Sequence, residues 1–238
     1  MKISIIIPVY NEKQTFSQIL GKVKRAKLPK GIKKEIIIVN DGSTDGTEEI
    51  VSKVKVSKNI KVISHSTNRG KGAALKTGLE HATGAIFLTQ DADLEYDPRY
   101  YSRLLEPIFI GKTKVVYGSR LATLKFKIIG KDKTPLVTHY LANKFLNFLT
   151  NLLFGSNLTD METGYKVFSK EVYEAIRPIC STRFDFEPEV TAKILKKGFA
   201  IQEVPITTNP RGYKEGKKIT WKDGIVAIGT LFRNRFNQ

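Results

Sequence analysis

The chain has 238 residues, a length that suits one α/β domain, and its 41% hydrophobic content excludes wholesale disorder. The 40 Lys and Arg residues against 23 Asp and Glu give a net charge of +17, which favours anionic partners: nucleic acid, phospholipid headgroups or phosphorylated substrates. A lysine-rich soluble surface would have the same composition. The single cysteine, Cys180, excludes an intramolecular disulfide and favours a reducing compartment, and no stretch reaches the ~20 apolar residues of a membrane-spanning helix.

The first half of the chain alternates short apolar runs with helix-like patterns. Ile3–Val9 is a continuous β-branched run, typical of a strand buried on both faces. The other predicted strands are Glu35–Val39, Ile60–Ser64, Ala85–Thr89 and Lys114–Gly118. Helices are predicted at Thr15–Ala26, after the turn Asp41–Asp45, at Gly72–Ala82 and at Tyr100–Ile110. This alternation predicts an α/β fold with a parallel sheet and right-handed crossovers.

In the second half of the chain, predicted strands and helices no longer alternate regularly. A basic stretch, Arg120–Lys133, precedes a predicted helix with a wide apolar face at Leu136–Phe154. The remaining predicted elements are helices near Lys170–Ile176 and Glu187–Lys197, a strand at Ala200–Pro205, a polar loop at Thr207–Thr220 and an amphipathic helix from Lys222. Because no repeat or low-complexity linker interrupts the chain, residues 1–238 are predicted to form one domain with a C-terminal elaboration.

Polar clusters follow the predicted strands at their carboxyl ends, where parallel α/β sheets bind ligands. Three of them are Pro8–Glu12, Asn40–Thr44 and Gln90–Glu95. After the third strand, Arg69–Gly72 supplies two cations and a glycine-rich turn that opens a helix with free backbone N–H groups. Its spacing matches neither a Walker nor a dinucleotide motif, and it is compatible with close packing, a bound phosphate or solvated charges.

Asp91 and Asp93 are the strongest candidates for metal binding. Their spacing puts two carboxylates on one face of an extended or turning segment, and such hard oxygen ligands suit Mg²⁺ or Mn²⁺. A bare Asp-x-Asp is often only a surface turn, but this one directly follows a predicted buried strand. Asp41 has two interpretations, as an acceptor for a ribose or base group and as an Asx bond in its own turn. Glu12 has two as well, in the nucleotide site or as an ordinary first-turn acid.

Four motifs together resemble the donor-site motifs of the inverting family 2 glycosyltransferases. They are Pro8-Val-Tyr-Asn-Glu12, Val39-Asn-Asp-Gly-Ser43, Asn68-Arg-Gly-Lys-Gly72 and Asp91-Ala-Asp93. The similarity extends over nearly the whole chain and is strongest to the dolichyl- or polyprenyl-phosphate hexose synthases. It implies the GT-A fold, a Rossmann-like, mostly parallel sheet flanked by helices, with C-terminal amphipathic helices. Residues 1–119 would then bind the nucleotide sugar, and residues 120–238 would face the acceptor and the membrane.

The resemblance also implies roles for individual residues. Nucleotide-sugar binding would fall to Pro8, Tyr10, Glu12, Asp41, Arg69, Lys71, Asp91, Arg211 and Lys217. The metal would be held by Asp91, Asp93 and Glu95, the last standing where relatives often carry glutamine. The catalytic residues would be Asp93, Arg120, Asp160 and Glu162. The segment Asp160–Lys166 resembles the acceptor side of the fold, where many relatives keep a catalytic acid, although its acids are also compatible with capping the next helix.

The implied reaction is displacement with inversion at the anomeric carbon of a nucleotide sugar, GDP-mannose or UDP-glucose, with Mg²⁺ or Mn²⁺ as cofactor. A sugar hydroxyl as acceptor would need a base, Glu162 or Asp160. A polyprenyl or dolichyl monophosphate, with a second pKa of ~6, needs cations such as Arg120 instead. The basic stretch favours the lipid phosphate. The apolar face of Leu136–Phe154 could lie in the headgroup region, pack in the core or form a dimer contact.

The expected location is cytoplasmic, peripheral at the inner face of the membrane. The resemblance is compatible with a membrane-protein partner or a homo-oligomer. No nucleic-acid partner is expected, because the positive charge is spread along the chain and no nucleic-acid motif is present. The alternatives are a transferase acting on a glycan hydroxyl, a nucleotidyltransferase, which would release pyrophosphate, and a basic nucleic-acid-binding protein.

Overall fold

The computed structural model describes residues 1–122, 137–211, 218 and 220–237. Its strands are β1 (Lys2–Val9), β2 (Lys33–Asn40), β3 (Ile60–Ser64), β4 (Ile86–Thr89), β5 (Val115–Ser119), β6 (Lys166–Ser169) and β7 (Ile201–Pro205). They form a seven-stranded sheet in the order β3-β2-β1-β4-β6-β5-β7. The sheet therefore takes strands from both halves of the chain.

The sheet is mostly parallel, as predicted. β1 pairs in parallel with β2 and β4, β2 with β3, and β5 with β7. Only β6 is antiparallel, and it lies between β4 and β5. The predicted strands are confirmed within one or two residues, but β6 was not predicted as a strand. It has only four residues and begins with Lys166, so it carries little apolar signal.

Helices cover both faces of this sheet. Their bounds are α1 (Phe16–Arg25), α2 (Thr47–Ser52), α3 (Lys71–Glu80), α4 (Tyr101–Phe109), α5 (Val137–Phe154), α6 (Lys170–Ile176), α7 (Phe186–Lys196) and α8 (Trp221–Phe236). The core on one face contains buried residues of α1, α2 and α4, and the core on the other contains those of α3, α6 and α7. Alternate residues of β1 serve both cores: Ile5 packs in the first and Ile6 in the second. The α/β architecture with flanking helices is confirmed.

The two long helices of the second half pack together, away from the sheet. α5 and α8 contact each other and α7, around a small core of Leu146, Leu149, Met161, Ala192, Ala227 and Leu231. α8 begins with a capping box in which Thr220 and Asp223 bond each other's backbone N–H groups. The predicted helix is confirmed from Val137 onward, whereas most of the basic stretch lies outside the described residues. None of the described helices has the length and apolar character needed to cross a membrane.

Candidate active site

The loops that follow β1, β2 and β4 meet at one edge of the sheet and border a cavity of about 440 Å³. Segments from the second half of the chain complete its wall. The lining residues include Pro8, Tyr10, Glu12, Asp41, Lys71, Asp91, Asp93, Glu95, Arg120, Glu162, Glu187, Arg211 and Lys218. The motifs at the strand ends therefore lie together, as expected for the carboxyl ends of strands in a parallel sheet.

Arg211 lies among three carboxylates of this cavity. Its Nη2 is 2.9 Å from Oδ2 of Asp93 and 3.2 Å from Oε1 of Glu12, and its Nε is 3.6 Å from Oε1 of Glu95. Burial and repulsion from Asp91 and Glu95 raise the pKa of Asp93 to about 7, against the lowering effect of Arg211. The single guanidinium thus leaves this group of acids short of positive charge.

Lys218 and Tyr10 lie beside the same carboxylates. The Lys218 ammonium donates to Oε1 of Glu12 at 3.1 Å and to the carbonyl of Tyr10, and it lies 5.3 Å from the centroid of the Tyr10 ring. Pro8 and Tyr10, which are predicted to bind the nucleotide sugar, both line the cavity. Lys217, predicted to bind the nucleotide sugar, lies outside the described residues. Lys218 falls in the predicted polar loop Thr207–Thr220 and was not predicted as a site residue.

Lys71 joins two carboxylates from distant parts of the chain. Its Nζ is 2.9 Å from Oδ1 of Asp91 and 2.9 Å from Oε1 of Glu187. Burial lowers the pKa of Lys71, but the two carboxylates outweigh burial and raise it well above its usual value. Glu187 was not predicted as a site residue. An acid in the first turn of a helix is ordinary in a sequence, because it is favoured by the helix dipole.

Asp41 is bonded to the loop that follows β3. Its carboxylate accepts hydrogen bonds from the backbone N–H groups of Arg69 and Gly70 at 2.9 and 2.8 Å, and from Nδ2 of Asn68 at 3.0 Å. Nδ1 of His65 lies 2.7 Å away. The contacts of Asp41 thus build the loop, and its nucleotide-binding role stays a prediction. The Arg69 side chain is exposed and does not line the cavity.

The glycines at the start of α3 pack against another backbone segment. A Cβ on Gly70 would lie 2.3 Å from the carbonyl oxygen of Thr182, and one on Gly72 would lie 2.8 Å from the carbonyl carbon of that residue. The N–H groups of Gly72 and Ala73 donate to the carbonyls of Arg183 and Thr182 at 3.2 and 2.9 Å. The expectation of free N–H groups here is therefore wrong for these two, since both are already bonded.

Arg120, which is partly exposed, and the buried Asp160 form an ion pair at the cavity wall. The Arg120 guanidinium donates to Asp160 at 2.8 and 2.7 Å, and its backbone N–H donates to the same carboxylate at 2.8 Å. Asp160 is fully buried. Its backbone N–H donates to Glu203 at 2.9 Å, and Asn147 of α5 accepts from the next residue, Met161, at 2.7 Å. Both carboxylate oxygens of Asp160 thus accept hydrogen bonds from Arg120 and position it, and the catalytic role of Asp160 stays a prediction.

Glu162 is one of two carboxylates in this region with an unsatisfied buried oxygen. Its Oε1 is buried without a hydrogen-bond partner, as is Oε2 of Glu187. Burial and repulsion from Glu187 raise the pKa of Glu162 to about 8, against the lowering effects of Lys166 and Arg120. A carboxylate with a pKa near neutrality and a free oxygen in a cavity has the properties of a general base.

Lys166 is a buried cation that interacts electrostatically with Glu187 and Glu162, and it was not predicted as a site residue. It is 1% exposed, and its ammonium donates to the carbonyls of Met161 and Thr163 at 2.7 and 2.8 Å. Burial lowers the pKa of Lys166 to about 8, against the raising effects of Glu187 and Glu162. Its two bonds fix the turn that carries Glu162, on either side of that residue.

The carboxylates of Asp91 and Asp93 fit a hard divalent cation. The raised pKa of Asp93 reflects clustered acids that a cation would stabilise. Among the described residues, no three His, Cys, Asp or Glu side chains are grouped as a metal site, and Glu95 instead contacts Arg211. Mg²⁺ is commonly held by one or two carboxylates together with substrate phosphates. Asp91 and Asp93 suit that arrangement, while the roles of all three residues as ligands stay predictions.

Known structures with this fold include metal and nucleotide complexes. Glucosyl-3-phosphoglycerate synthase from Mycobacterium tuberculosis, crystallised with Mn²⁺, uridine diphosphate and phosphoglyceric acid, superposes with a TM-score of 0.72 at 21% identity. The alignment covers 99% of this chain and 78% of that one. Another crystal structure of that enzyme contains Mg²⁺ and uridine diphosphate. The likeness confirms the GT-A fold.

Relatives in sequence cover most of the chain. An uncharacterized protein of Methanocaldococcus jannaschii is 32% identical over 214 residues, 87% of this chain and 81% of that protein. The UDP-N-acetylglucosamine–dolichyl-phosphate N-acetylglucosaminyltransferase of Methanococcus voltae is 31% identical over 223 residues, 87% of this chain and 85% of that enzyme. The family model for glycosyl transferase family 2 matches residues 4–177, well over half of the chain. The chain belongs to glycosyl transferase family 2.

Proposed function

We propose that this glycosyltransferase moves a hexose or N-acetylhexosamine from a nucleotide sugar to a polyprenyl or dolichyl phosphate at a membrane surface. The observation that carries the proposal is one cavity that combines the Asp91–Asp93 pair with Arg211 and Arg120. The acids suit a metal-bound diphosphate, and the cations suit phosphates. The lipid acceptor is supported by the relative from Methanococcus voltae, which is named as a dolichyl-phosphate transferase.

In this proposal the donor lies over the ends of β1 and β4. Pro8 and Tyr10 border the nucleoside, and a divalent cation held by Asp91 and Asp93 would stabilise the leaving diphosphate. Arg211 is the nearest guanidinium to that pair, 2.9 Å from Asp93. It would contribute further stabilisation as negative charge develops on the diphosphate. Mg²⁺ and Mn²⁺ are the proposed cofactors, supported by the metal complexes of the structural neighbours.

The acceptor phosphate would lie near Arg120. A phosphate monoester with a second pKa of ~6 is largely ionised at neutral pH, so its oxygen attacks the anomeric carbon without a protein base. What it needs is a fixed positive group, and the two-point ion pair with Asp160 fixes the Arg120 guanidinium. The proposed location is the cytoplasmic face of a membrane, where the net charge of +17 favours anionic headgroups.

Transfer to a sugar hydroxyl is the second candidate, and Glu162 is the observation that favours it. A hydroxyl must lose its proton as it attacks, and Glu162 has an unpartnered buried oxygen and a pKa of about 8. The two candidates share the donor site, so they differ in the product and in their dependence on Glu162.

The proposal is tested by incubating purified protein with Mn²⁺, a short polyprenyl phosphate and one of three donors: UDP-N-acetylglucosamine, UDP-glucose or GDP-mannose. Free nucleoside diphosphate and sugar-labelled lipid, in equal amounts, would support the proposal and identify the donor. Nucleoside diphosphate without labelled lipid, together with labelled glycan when an oligosaccharide acceptor is added to the same mixture, would favour the second candidate. The absence of both products, from protein shown to be folded, would contradict the donor site itself. Release of pyrophosphate would indicate a nucleotidyltransferase.

A further inference from the structure

The exposed apolar side chains of the described residues are concentrated on two helices. Thirteen large hydrophobic residues are exposed, and ten of them belong to α5 or α8, with exposed fractions between 36% and 72%. We call these ten residues the α5–α8 surface: Val137, Leu141, Phe145, Phe148, Leu152, Trp221, Ile225, Val226, Phe232 and Phe236. Such a concentration marks an interaction site, since soluble surfaces normally carry large apolar residues singly.

Helical spacing places these residues on continuous faces. Leu141, Phe145, Phe148 and Leu152 follow one another at intervals of three or four residues along α5. On α8, Trp221 and Ile225 begin a similar face, which continues to the stacked rings of Phe232 and Phe236, 6.1 Å apart. The opposite faces of the helices, with Leu149 and Leu231, are buried in the small core that α5 and α8 share with α7. The packing of the domain thus accounts for one face of each helix and leaves the other uncovered.

The charges on the two helices decide between a second copy of the chain and a lipid surface. α5 and α8 carry four cations, Lys144, Lys222, Arg233 and Arg235, and one acid, Asp223, which is used in the helix cap. A symmetric dimer through this surface would bring like charges together in a chain whose net charge is already +17. Anionic headgroups would instead complement the cations while the five aromatic rings enter the interface.

We propose that the α5–α8 surface binds an anionic lipid bilayer, with its aromatic and aliphatic side chains among the upper acyl chains and its lysines and arginines at the headgroups. This inference deepens the proposed function by naming the surface that meets the membrane. Vesicle binding itself requires neither donor nor acceptor, so it can succeed or fail independently of sugar transfer.

The position of the surface relative to the cavity fits this role. Thr220 and Asp223, at the start of α8, line the cavity, and Trp221 lies between them in sequence. On α5, Asn147 accepts from the backbone of Met161 and so supports the turn that carries Glu162. A bilayer bound by α5 and α8 would therefore lie beside the cavity, where a lipid-linked phosphate could reach it.

Trp221 makes the test direct, because it is the chain's only tryptophan and is 72% exposed. The purified protein is titrated with phosphatidylcholine vesicles, with and without phosphatidylserine, while tryptophan emission and vesicle co-sedimentation are measured. We expect a blue shift and co-sedimentation that increase with phosphatidylserine and decrease with salt. The double variant F148S/F236S should bind at least about tenfold more weakly. The matched control, V56S/I110S, removes two side chains that are 61% and 69% exposed elsewhere and should bind like wild type.

Two results would overturn the inference. One is unchanged tryptophan emission and no co-sedimentation with phosphatidylserine vesicles. The other is a stable dimer of the wild-type chain in solution that F148S/F236S converts to monomer, which would assign the surface to a second copy. Equal weakening by F148S/F236S and by V56S/I110S would also contradict the assignment to this surface, since it would indicate nonspecific adsorption.

Discussion

Replacing Glu162 with glutamine separates the two acceptor classes, because only a hydroxyl acceptor needs a base. With a pKa of about 8, Glu162 carries its negative charge in about a tenth of the molecules at pH 7 and in about nine tenths at pH 9. A reaction that used Glu162 as base would therefore accelerate about tenfold over that range, and E162Q would lose about 10²–10⁴-fold in kcat. The proposed lipid phosphate is already ionised, so we expect E162Q to retain kcat within about threefold.

The assay is the ratio of kcat for wild type to kcat for E162Q, measured from pH 6.5 to 9.5 with lipid phosphate as acceptor. Asp93 also titrates in this range, with a pKa of about 7, but it does so in both proteins and cancels in the ratio. We expect the ratio to be flat. A ratio that rises about tenfold between pH 7 and pH 9 would instead make Glu162 the base. E174Q, a change at an exposed acid outside the cavity, is the matched control.

Thermal stability provides a check that E162Q acts as intended. The pKa of Glu162 is about 8 in the folded state, well above the ordinary value of 4.5 that applies when the chain is unfolded. Its contribution to stability is therefore present below pH 4.5 and is lost as the pH rises to about 8. Glutamine removes this dependence, so we expect E162Q to have a higher Tm than wild type at pH 8 and a smaller difference at pH 5. A lower Tm at pH 8 would contradict the burial of an unpartnered carboxylate.

Three further substitutions test other parts of the structure. Glu35 is buried far from the cavity. Burial raises the pKa of Glu35, but hydrogen bonds outweigh burial and lower that pKa to about 2. The stabilisation by Glu35 is therefore present above pH 4.5 and is lost as the pH falls to about 2. E35Q should cost about 2 kcal/mol in the free energy of unfolding by urea at pH 7 and much less at pH 2, and equal costs at both would contradict this. In G164A the new Cβ would lie 2.3 Å from Oδ2 of Asp91 and would displace that carboxylate. We therefore expect kcat/KM to fall about 100-fold with little change in Tm, whereas unchanged kinetics would show that Asp91 tolerates displacement. D160N leaves Arg120 without its charge partner and should cost about 3 kcal/mol in urea unfolding, whereas a cost below about 1 kcal/mol would mean that the pair is solvated.

The sequence predicted the main framework because its signals are local. The β-branched run Ile3–Val9 is enough by itself to predict a buried parallel strand. The acids that follow the strands lie together because parallel strands place their carboxyl ends at one edge of the sheet. Asp91 and Asp93 could be predicted in this way, as could their proximity to Glu12. Arg211 needed the family resemblance, since nothing local distinguishes it from other basic residues of its loop.

Other features depend on contacts that only the folded chain creates. Glu187 becomes part of the site because the start of α7 lies beside Lys71, more than a hundred positions earlier in the sequence. From the sequence alone, Lys166 would be expected at the surface, but in the fold it is buried and its ammonium donates to two carbonyls. Asp41 was predicted either to bind the nucleotide or to form an Asx bond in its own turn, whereas the bonds of its carboxylate to the backbone of the loop after β3 were not predicted. Its nucleotide-binding role stays a prediction. Local spacing carries no information about such satisfied hydrogen bonds.

The most direct test of sugar transfer to a lipid phosphate is the transfer of label from a nucleotide sugar into organic-extractable polyprenyl phosphate. It is measured for wild type and D93N in the presence of Mn²⁺. We expect one labelled lipid for each nucleoside diphosphate released by wild type. We also expect a loss of at least about 100-fold in D93N, with the fold retained. Labelled lipid formed equally by D93N would contradict the assignment of the donor site. The absence of labelled lipid with every donor, from folded wild-type protein, would contradict the proposed reaction.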